Sequence, residues 1–301
     1  MSENPVISII ILSYNKPAVL INTIKSIQNA VKTVPFELII VDNASDDNNV
    51  DLINKHFPSV KLVLNSKNGG FANGCNMGAQ NAIGKFLVFI NSDILINEDP
   101  IPAMMDIFSS NQETGIVGCQ LLNPDESLQP SEFRFPKLYL RFLQLSRLKK
   151  IILSMLPENR SRNEMYYETD YVSGAFLMIE REIFFKVGCF DEKYFMYHED
   201  ADICFKVKKL GKKVFLYNFR GVIHLAQNKE NLNNDFVFFN MNLGQIVFYK
   251  NNYSSLRLKF LAVMSIILFY CKEGKDLLLF KKRSGVVNQV IKLYIKALFN
   301  K

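Results

Sequence analysis

Residues Val6–Tyr14 read VISIIILSY. The run is β-branched and almost unbroken in its apolarity, where a strand with one wet face would alternate. It predicts a strand buried on both faces, the habit of a parallel sheet covered by helices. The pattern then repeats. A helical stretch over Ala18–Ala30 leads to ELIIVDN (Glu37–Asn43), a second strand of the same kind. A helix over Asn49–Phe57, strand VKLVLN (Val60–Asn65), a helix over Phe71–Ile83 and strand FLVFINSD (Phe86–Asp93) follow. Strands alternating with helices predict an α/β protein whose mostly parallel sheet is built from βαβ units. Residues 123–170 hold Pro124, Pro130, Pro136 and Pro157 and predict loops and short helices. YVSGAFLMIE (Tyr171–Glu180), KKVFLY and GVIHL return to strand, and no internal repeat is visible.

The chain has 301 residues, 49% hydrophobic and 22% charged, which suits one large globular domain with an appendage. Its five cysteines show no CxxC spacing, and no signal-peptide-like run precedes the first strand. A reduced, cytoplasmic compartment is expected, with the thiols as small core residues. Net charge is +7 but unevenly placed: residues 226–301 carry 12 Lys and Arg against 4 Asp and Glu, while the rest is near neutral. That excludes a diffuse nucleic-acid footprint over the main body.

In parallel sheets, ligands bind beyond the carboxyl ends of the strands. The rule points at Tyr14–Asn15, Asp42–Asp47 and Asn91–Asp93. Asp42 sits at its strand's own end, where a carboxylate can accept the N3–H of a pyrimidine; Asn43, Asp46 and Asp47 also suit a turn before a helix. KNGGFANGCNMG (Lys67–Gly78) is neither a GxGxxG nor a Walker A sequence. Gly70, Gly74 and Gly78, spaced by four, give a helix one smooth face for a sheet or a ligand. A helix start at Gly70–Phe71 suits a diphosphate. Asp93 offers oxygen to a divalent cation, and His224, alone in an apolar run, reads on its own as a satisfied core histidine.

MYHEDADICFKVKKLG (Met196–Gly211) crowds His198, Glu199, Asp200 and Asp202 before a helix. Ile203, Val207 and Leu210 mark its buried face and Gly211 its stop. The acids read either as first-turn charges complementing the helix dipole or as chemistry.

SIIILSYNK, LIIVDNASDD, NGGFANGCNMG, FINSD, VSGAF, FDEKYFMYHEDADICFKVKKLG and VIHL stand in a diagnostic order. Over about residues 5–225 the chain resembles bacterial family 2 inverting glycosyltransferases of the GT-A fold, and is most similar to their rhamnosyltransferase-like branch. The resemblance implies a catalytic domain over 1–225 and a basic amphipathic helical extension over 226–301. It implies donor contacts from Tyr14, Asn15, Asp42, Asn43, Asn68, Gly70, Phe71, Asn91 and Ser92, with Asp42 on the base. Asp93 and His224 would hold a divalent cation, Mn²⁺ or Mg²⁺. Asp200 would be the catalytic base, with Glu199 and Asp202 positioning the acceptor or holding the loop, and Ser173, Gly174 and His198 on the acceptor side. Asn91 departs from the family's usual Asp-x-Asp and removes one negative charge from the cation site.

The implied reaction is a single in-line displacement in which a carboxylate takes the acceptor's proton, while cation and helix N–H groups stabilise the leaving diphosphate. The donor would be dTDP-L-rhamnose or, failing that, a UDP-hexose; the acceptor a cell-surface glycan or lipid-linked sugar. Two other classes compete. A sugar-1-phosphate nucleotidyltransferase would need a basic Gly-rich loop after the first strand, where SYNKPA stands instead. A non-catalytic nucleotide-sugar-binding protein on this scaffold is favoured by Asn91 and opposed by HEDAD and His224. The longest apolar stretch of the tail, Phe260–Cys271, is twelve residues, short of the roughly 20 needed to span a bilayer. Bracketed by cations, the tail suits helices lying on an anionic membrane surface, on the inner face of the cytoplasmic membrane, or a helical subdomain packed on the body or on a second subunit.

Overall fold

A computed structural model describes residues 5–47, 49–145, 164–225, 234–278 and 285–299. In chain order the strands are β1 Ile7–Ser13, β2 Phe36–Asp42, β3 Lys61–Leu64, β4 Phe86–Asn91, β5 Ile94–Ile96, β6 Thr114–Cys119, β7 Leu121–Leu122, β8 Leu128–Gln129, β9 Glu132–Phe133, β10 Tyr166–Glu168, β11 Tyr171–Val172, β12 Phe176–Glu180, β13 Lys213–Tyr217 and β14 Val222–His224. The helices are α1 Pro17–Ala30, α2 Asn49–His56, α3 Gly70–Gln80, α4 Ile101–Ser110, α5 Leu138–Leu145, α6 Arg181–Lys186, α7 Glu199–Lys209, α8 Asn234–Asn252, α9 Ser255–Leu278 and α10 Gly285–Phe299. The chain divides into two compact units. One holds the strands and their helices; the other gathers the stretch from Phe135, residues 196–198 and the C-terminal helices.

The first unit is built on an eight-stranded sheet in the order β10-β13-β6-β12-β4-β1-β2-β3. β1 lies inside it, parallel to β2 and β4, which explains its unbroken apolar run. Ile7, Ile9 and Ile11 share a core with Leu20, Ile24 and Ile27 of α1. On the other face α3 packs on β1: a Cβ at Gly74 would stand 2.1 Å from Leu12 Cδ1, and one at Gly78 2.4 Å from Ile10 Cγ2. Those two glycines therefore serve close helix–sheet contact.

The sheet departs from parallel at β12, which runs antiparallel to both β4 and β6, and at β10. The strand expected over Tyr171–Glu180 is two strands: β11 pairs with β9, and β12 enters the main sheet. The strand expected to reach Asp93 stops at Asn91, and Asp93 lies in a turn before β5. β5, β14, β7 and β8 form a small second sheet. Leu210, expected on the buried face of α7, is exposed beyond the helix end, while Gly211 has the left-handed φ of 78° that suits its stop. Cys75, Cys119 and Cys204 are core residues as expected, but Cys189 is half-buried and Cys271 exposed.

In the second unit Arg141 of α5 is buried. It donates to Asn242 Oδ1 of α8, to Tyr294 Oη of α10 at 3.1 Å and to Ser265 Oγ of α9 at 3.4 Å. One guanidinium thus ties α5 to all three C-terminal helices.

Candidate active site

The carboxyl edge of the main sheet collects the site. Ser13 pairs with Asp42 and Leu12 with Asn91, so β2, β1 and β4 end side by side. β12, running the opposite way, begins at that edge, and Asn91 donates its N–H to Ala175 O at 3.0 Å. Gly174 is thereby set beside the strand ends.

Asp42 is buried. Its Oδ2 accepts the N–H of Ser45 at 3.0 Å, while Oδ1 is buried with no hydrogen-bond partner among the described residues. A buried carboxylate oxygen without a donor is costly, and this one suits an incoming N–H. Around it Asn15 accepts from the Asp46 N–H, and Ser45 Oγ accepts from the Asn15 N–H. Asn15, Lys16 and Ala44 all take left-handed φ values near 60°. Tyr14 is exposed beside them.

Asn43 and Asn68 face inward. Asn43 donates to Asn68 Oδ1 and Gly70 O and accepts from Asn65 and from the Gly69 N–H. The helix start also differs from the expectation of a free anion site. The Gly70 N–H is taken by Asn68 Oδ1 and the Phe71 N–H by Phe195 O at 2.8 Å. Gly70 has φ 81°, and a Cβ there would lie 2.3 Å from Phe195 O, so only glycine allows this contact. Glu192 holds the same segment by accepting from Asn73 and Asn76.

Asp200 is fixed at the start of α7. It accepts the Ala201 N–H at 2.8 Å and the Gly174 N–H at 3.3 Å. A Cβ on Gly174 would lie 3.4 Å from Asp200 Cβ and 3.6 Å from the Phe71 ring, so the three meet. Ser173 stays in the strand connection, its Oγ accepting from the Ala175 N–H. Burial pushes the Asp200 carboxyl up to about 6 against the pull of its backbone N–H partners. Glu199 is raised well above the usual carboxylate range, by burial first and the Asp200 charge second, and its Oε2 has no partner. Glu199 thus takes the first proton, and Asp200 carries the pair's charge near neutral pH. Asp202 is fully buried, accepts from Tyr194 Oη at 3.2 Å and pairs with Lys206 at 2.8 Å; it holds the helix. His198 belongs to the second unit. Burial, helped by the Arg141 charge, lowers it to about 4, and its Nδ1 has no partner.

Asp93 and His224 meet because β14 pairs antiparallel with β5, setting His224 opposite Ile94. His224 Nε2 lies 3.1 Å from Asp93 Oδ1, and Asn91 Nδ2 is 3.5 Å from the same nitrogen. His224 Nδ1 bonds Gln129 Oε1 at 2.6 Å, which places the ring proton on Nδ1. Nε2 and Asp93 Oδ1 are thereby left facing one another, an imidazole nitrogen and a carboxylate oxygen that together fit a cation. Among the described residues no group of three or more His, Cys, Asp or Glu could hold a metal, so the remaining ligands of a cation here would come from the diphosphate and water. Ser92 contributes its carbonyl to Thr23 of α1. Sequence reasoning missed Gln129, Tyr194, Lys206, Glu192 and Arg141. Of these only Lys206 had a local signal, its i,i+4 spacing from Asp202.

The profile of glycosyl transferase family 2 matches residues 8–188, and the chain belongs to that family. It is 25% identical over 196 residues to N-acetylglucosaminyl-diphospho-decaprenol L-rhamnosyltransferase of Mycobacterium tuberculosis (strain CDC 1551 / Oshkosh), covering 59% of this chain and 62% of the relative. It is 26% identical over 148 residues to rhamnosyltransferase WbbL of Escherichia coli (strain K12), covering 48% of this chain and 53% of that protein. The chain thus spans between half and two thirds of these relatives. Among solved structures, GalNAc-T7 with UDP, GalNAc and Mn²⁺ superposes with TM-score 0.58 at 16% identity, over 74% of this chain and 43% of that one. The fold is GT-A.

Proposed function

We propose that this chain is an inverting glycosyltransferase. It moves a sugar, L-rhamnose from dTDP-L-rhamnose in first place, onto a hydroxyl of a cell-surface glycan or lipid-linked acceptor, with Mn²⁺ ahead of Mg²⁺ as cation. The observation that carries this reading is the placement, along one sheet edge, of two buried carboxylates with different partners. Asp42 keeps a buried oxygen for a base N–H, and Asp200 ionises near neutral pH, as a general base must. Asp200 takes the acceptor hydroxyl's proton while that oxygen attacks the anomeric carbon and the nucleoside diphosphate departs from the opposite face. Tyr14, Asn15 and Phe71 flank the donor, and Asn43 and Asn68 shape its loop from behind. Asp93 and His224 would hold the cation, which supplies positive charge to the departing diphosphate; imidazole with oxygen favours Mn²⁺. The relatives' names support rhamnose as the sugar and a lipid-linked acceptor as its destination. A lipid-linked acceptor suits a protein whose basic helical extension lies against the inner face of the cytoplasmic membrane.

Asp42 accepts N3–H from uracil or thymine alike, and cytosine lacks it. UDP-hexose is therefore the second reading. The test is calorimetry of UDP, dTDP, GDP and CDP with Mn²⁺, repeated in chelator, followed by donor hydrolysis. We expect the two N3–H pyrimidines to bind, dTDP ahead, and binding and hydrolysis to collapse in chelator. Tight CDP or GDP binding overturns the Asp42 assignment. UDP well ahead of dTDP removes rhamnose from first place, and full activity in chelator removes the cation. Tight donor binding without hydrolysis or transfer favours a non-catalytic sugar-nucleotide receptor.

A further inference from the structure

Helix α9 is apolar on two opposite sides. Leu258, Leu261, Ala262, Ser265 and Phe269 are buried in the second unit, Phe269 against Phe238 and Tyr294. On the far side Leu256, Phe260, Val263 and Ile267 are 63, 59, 45 and 54% exposed. Their spacing of four, three and four residues, at about 100° per residue, sets them within an arc of about 60°. Large apolar side chains scattered singly over a surface need no explanation, but an aligned ridge marks a contact surface. Arg257 and Lys259 are exposed at its near end, and on α10 Lys292 and Lys296 are exposed with Ile295 and Phe299. No helix among the described residues is long and apolar enough to cross a membrane.

We propose that the outer face of α9 is a membrane-docking surface, lying in the plane of an anionic bilayer. Leu256, Phe260, Val263 and Ile267 enter the boundary between headgroups and acyl chains, and Arg257 and Lys259 meet lipid phosphates. This deepens the membrane-proximal reading of the C-terminal extension and rests on that part of it, not on the sugar chemistry. Charge selects the occupant. Residues 226–301 carry net +8, so a second copy seated on this face would bring like charges together, whereas an anionic surface is attracted.

The test is flotation of the full-length protein with vesicles of neutral phosphatidylcholine, or of phosphatidylcholine with phosphatidylglycerol. Binding should be confined to the anionic vesicles and weaken in high salt. Phe260→Glu with Ile267→Glu, both solvent-facing, should lower partitioning at least tenfold while leaving the thermal melt and nucleotide calorimetry unchanged. Arg257→Gln with Lys259→Gln should lower it several-fold. Wild-type partitioning by the glutamate variant overturns this face, and if truncating the tail still releases the protein, the membrane reading of the extension survives. Equal binding to neutral vesicles overturns the charge argument. A dimer in sedimentation that the glutamate variant dissolves makes a second copy the occupant and overturns the proposal. Ridge-dependent vesicle binding in a protein that binds no nucleotide would leave this proposal standing while the transferase reading falls.

Discussion

Asp200 carries opposite demands in one carboxylate. Burial opposes its charge, backbone N–H groups of Ala201, Gly174 and Asp200 itself favour it, and burial wins, holding the group at about 6. An aspartate in the unfolded chain titrates near 3.9. Between those values the folded protein keeps a proton that the unfolded chain has released. The group's stabilising contribution is therefore complete below the unfolded value and lost as pH rises through 6. Asp200→Asn should abolish that loss. We expect it to cut transfer by roughly 10²–10⁴ while raising stability at about pH 7.5 by of order 1–3 kcal/mol, an advantage that vanishes near pH 4. Wild-type turnover should fall on an acid limb with a midpoint near 6. Thermal melts at the two pH values and a pH–rate profile check both; near-normal turnover by the asparagine variant sinks the assignment. The crowding of His198, Glu199, Asp200 and Asp202 was legible as a cluster, but its division of labour was not. Asp202 is tied to Lys206 and Tyr194, and no sequence spacing tells a buried pair from an open one.

At the scale of elements, strands with strong periodicity or long apolar runs were readable: β1, β2 and β4 lie where VISIIILSY, ELIIVDN and FLVFIN stand. The small sheet was not. Strands of two or three residues, such as β5, β7 and β8, carry no period to detect, yet they bring Gln129 onto His224. Another contact escaped notice in the turn before α7. Tyr197 and His198 both have positive φ, 72° and 74°, a strain of roughly 1–3 kcal/mol each that surrounding contacts must hold. Gly244 of α8 permits the holding: a Cβ there would lie 2.6 Å from Tyr197 O and 3.1 Å from His198 Nδ1. Gly→Ala inside a helix ordinarily gains about 0.5–1 kcal/mol. Gly244→Ala should instead lower the melting temperature and reduce kcat, by displacing the turn that leads into Asp200, while nucleotide affinity stays unchanged. A variant that is both more stable and fully active would show the turn needs no such support.

For the whole molecule, a chain cut at residue 225, the expected boundary of the catalytic domain, bears on how α5 depends on the C-terminal helices. Arg141, within the first 225 residues, is bonded to Asn242, Ser265 and Tyr294. A chain ending at 225 would lose these three partners of its guanidinium. Hydrogen bonds to a charged group are worth about 1.5–3 kcal/mol each, and the truncation also uncovers the surface of α5 that packs on those helices. We expect the truncated chain to melt well below the full-length protein and to bind a hydrophobic dye. Equal melting of the truncated and full-length chains would mean that the helices are a dispensable appendage.

The sequence by itself determined the covered parallel sheet, because continuous β-branched runs have one stable environment. It determined the family, through motifs fixed by local geometry at strand ends, and the concentration of cations in the tail. Only the tertiary structure decided which groups meet. The reversed direction of β12 carries Gly174 to the strand ends and so places Asp200 there. Antiparallel pairing of β14 with β5 sets His224 against Asp93. α5 joins helices more than a hundred residues downstream through Arg141. Each depends on strand direction and long-range packing, which residue order constrains but local periodicity does not encode.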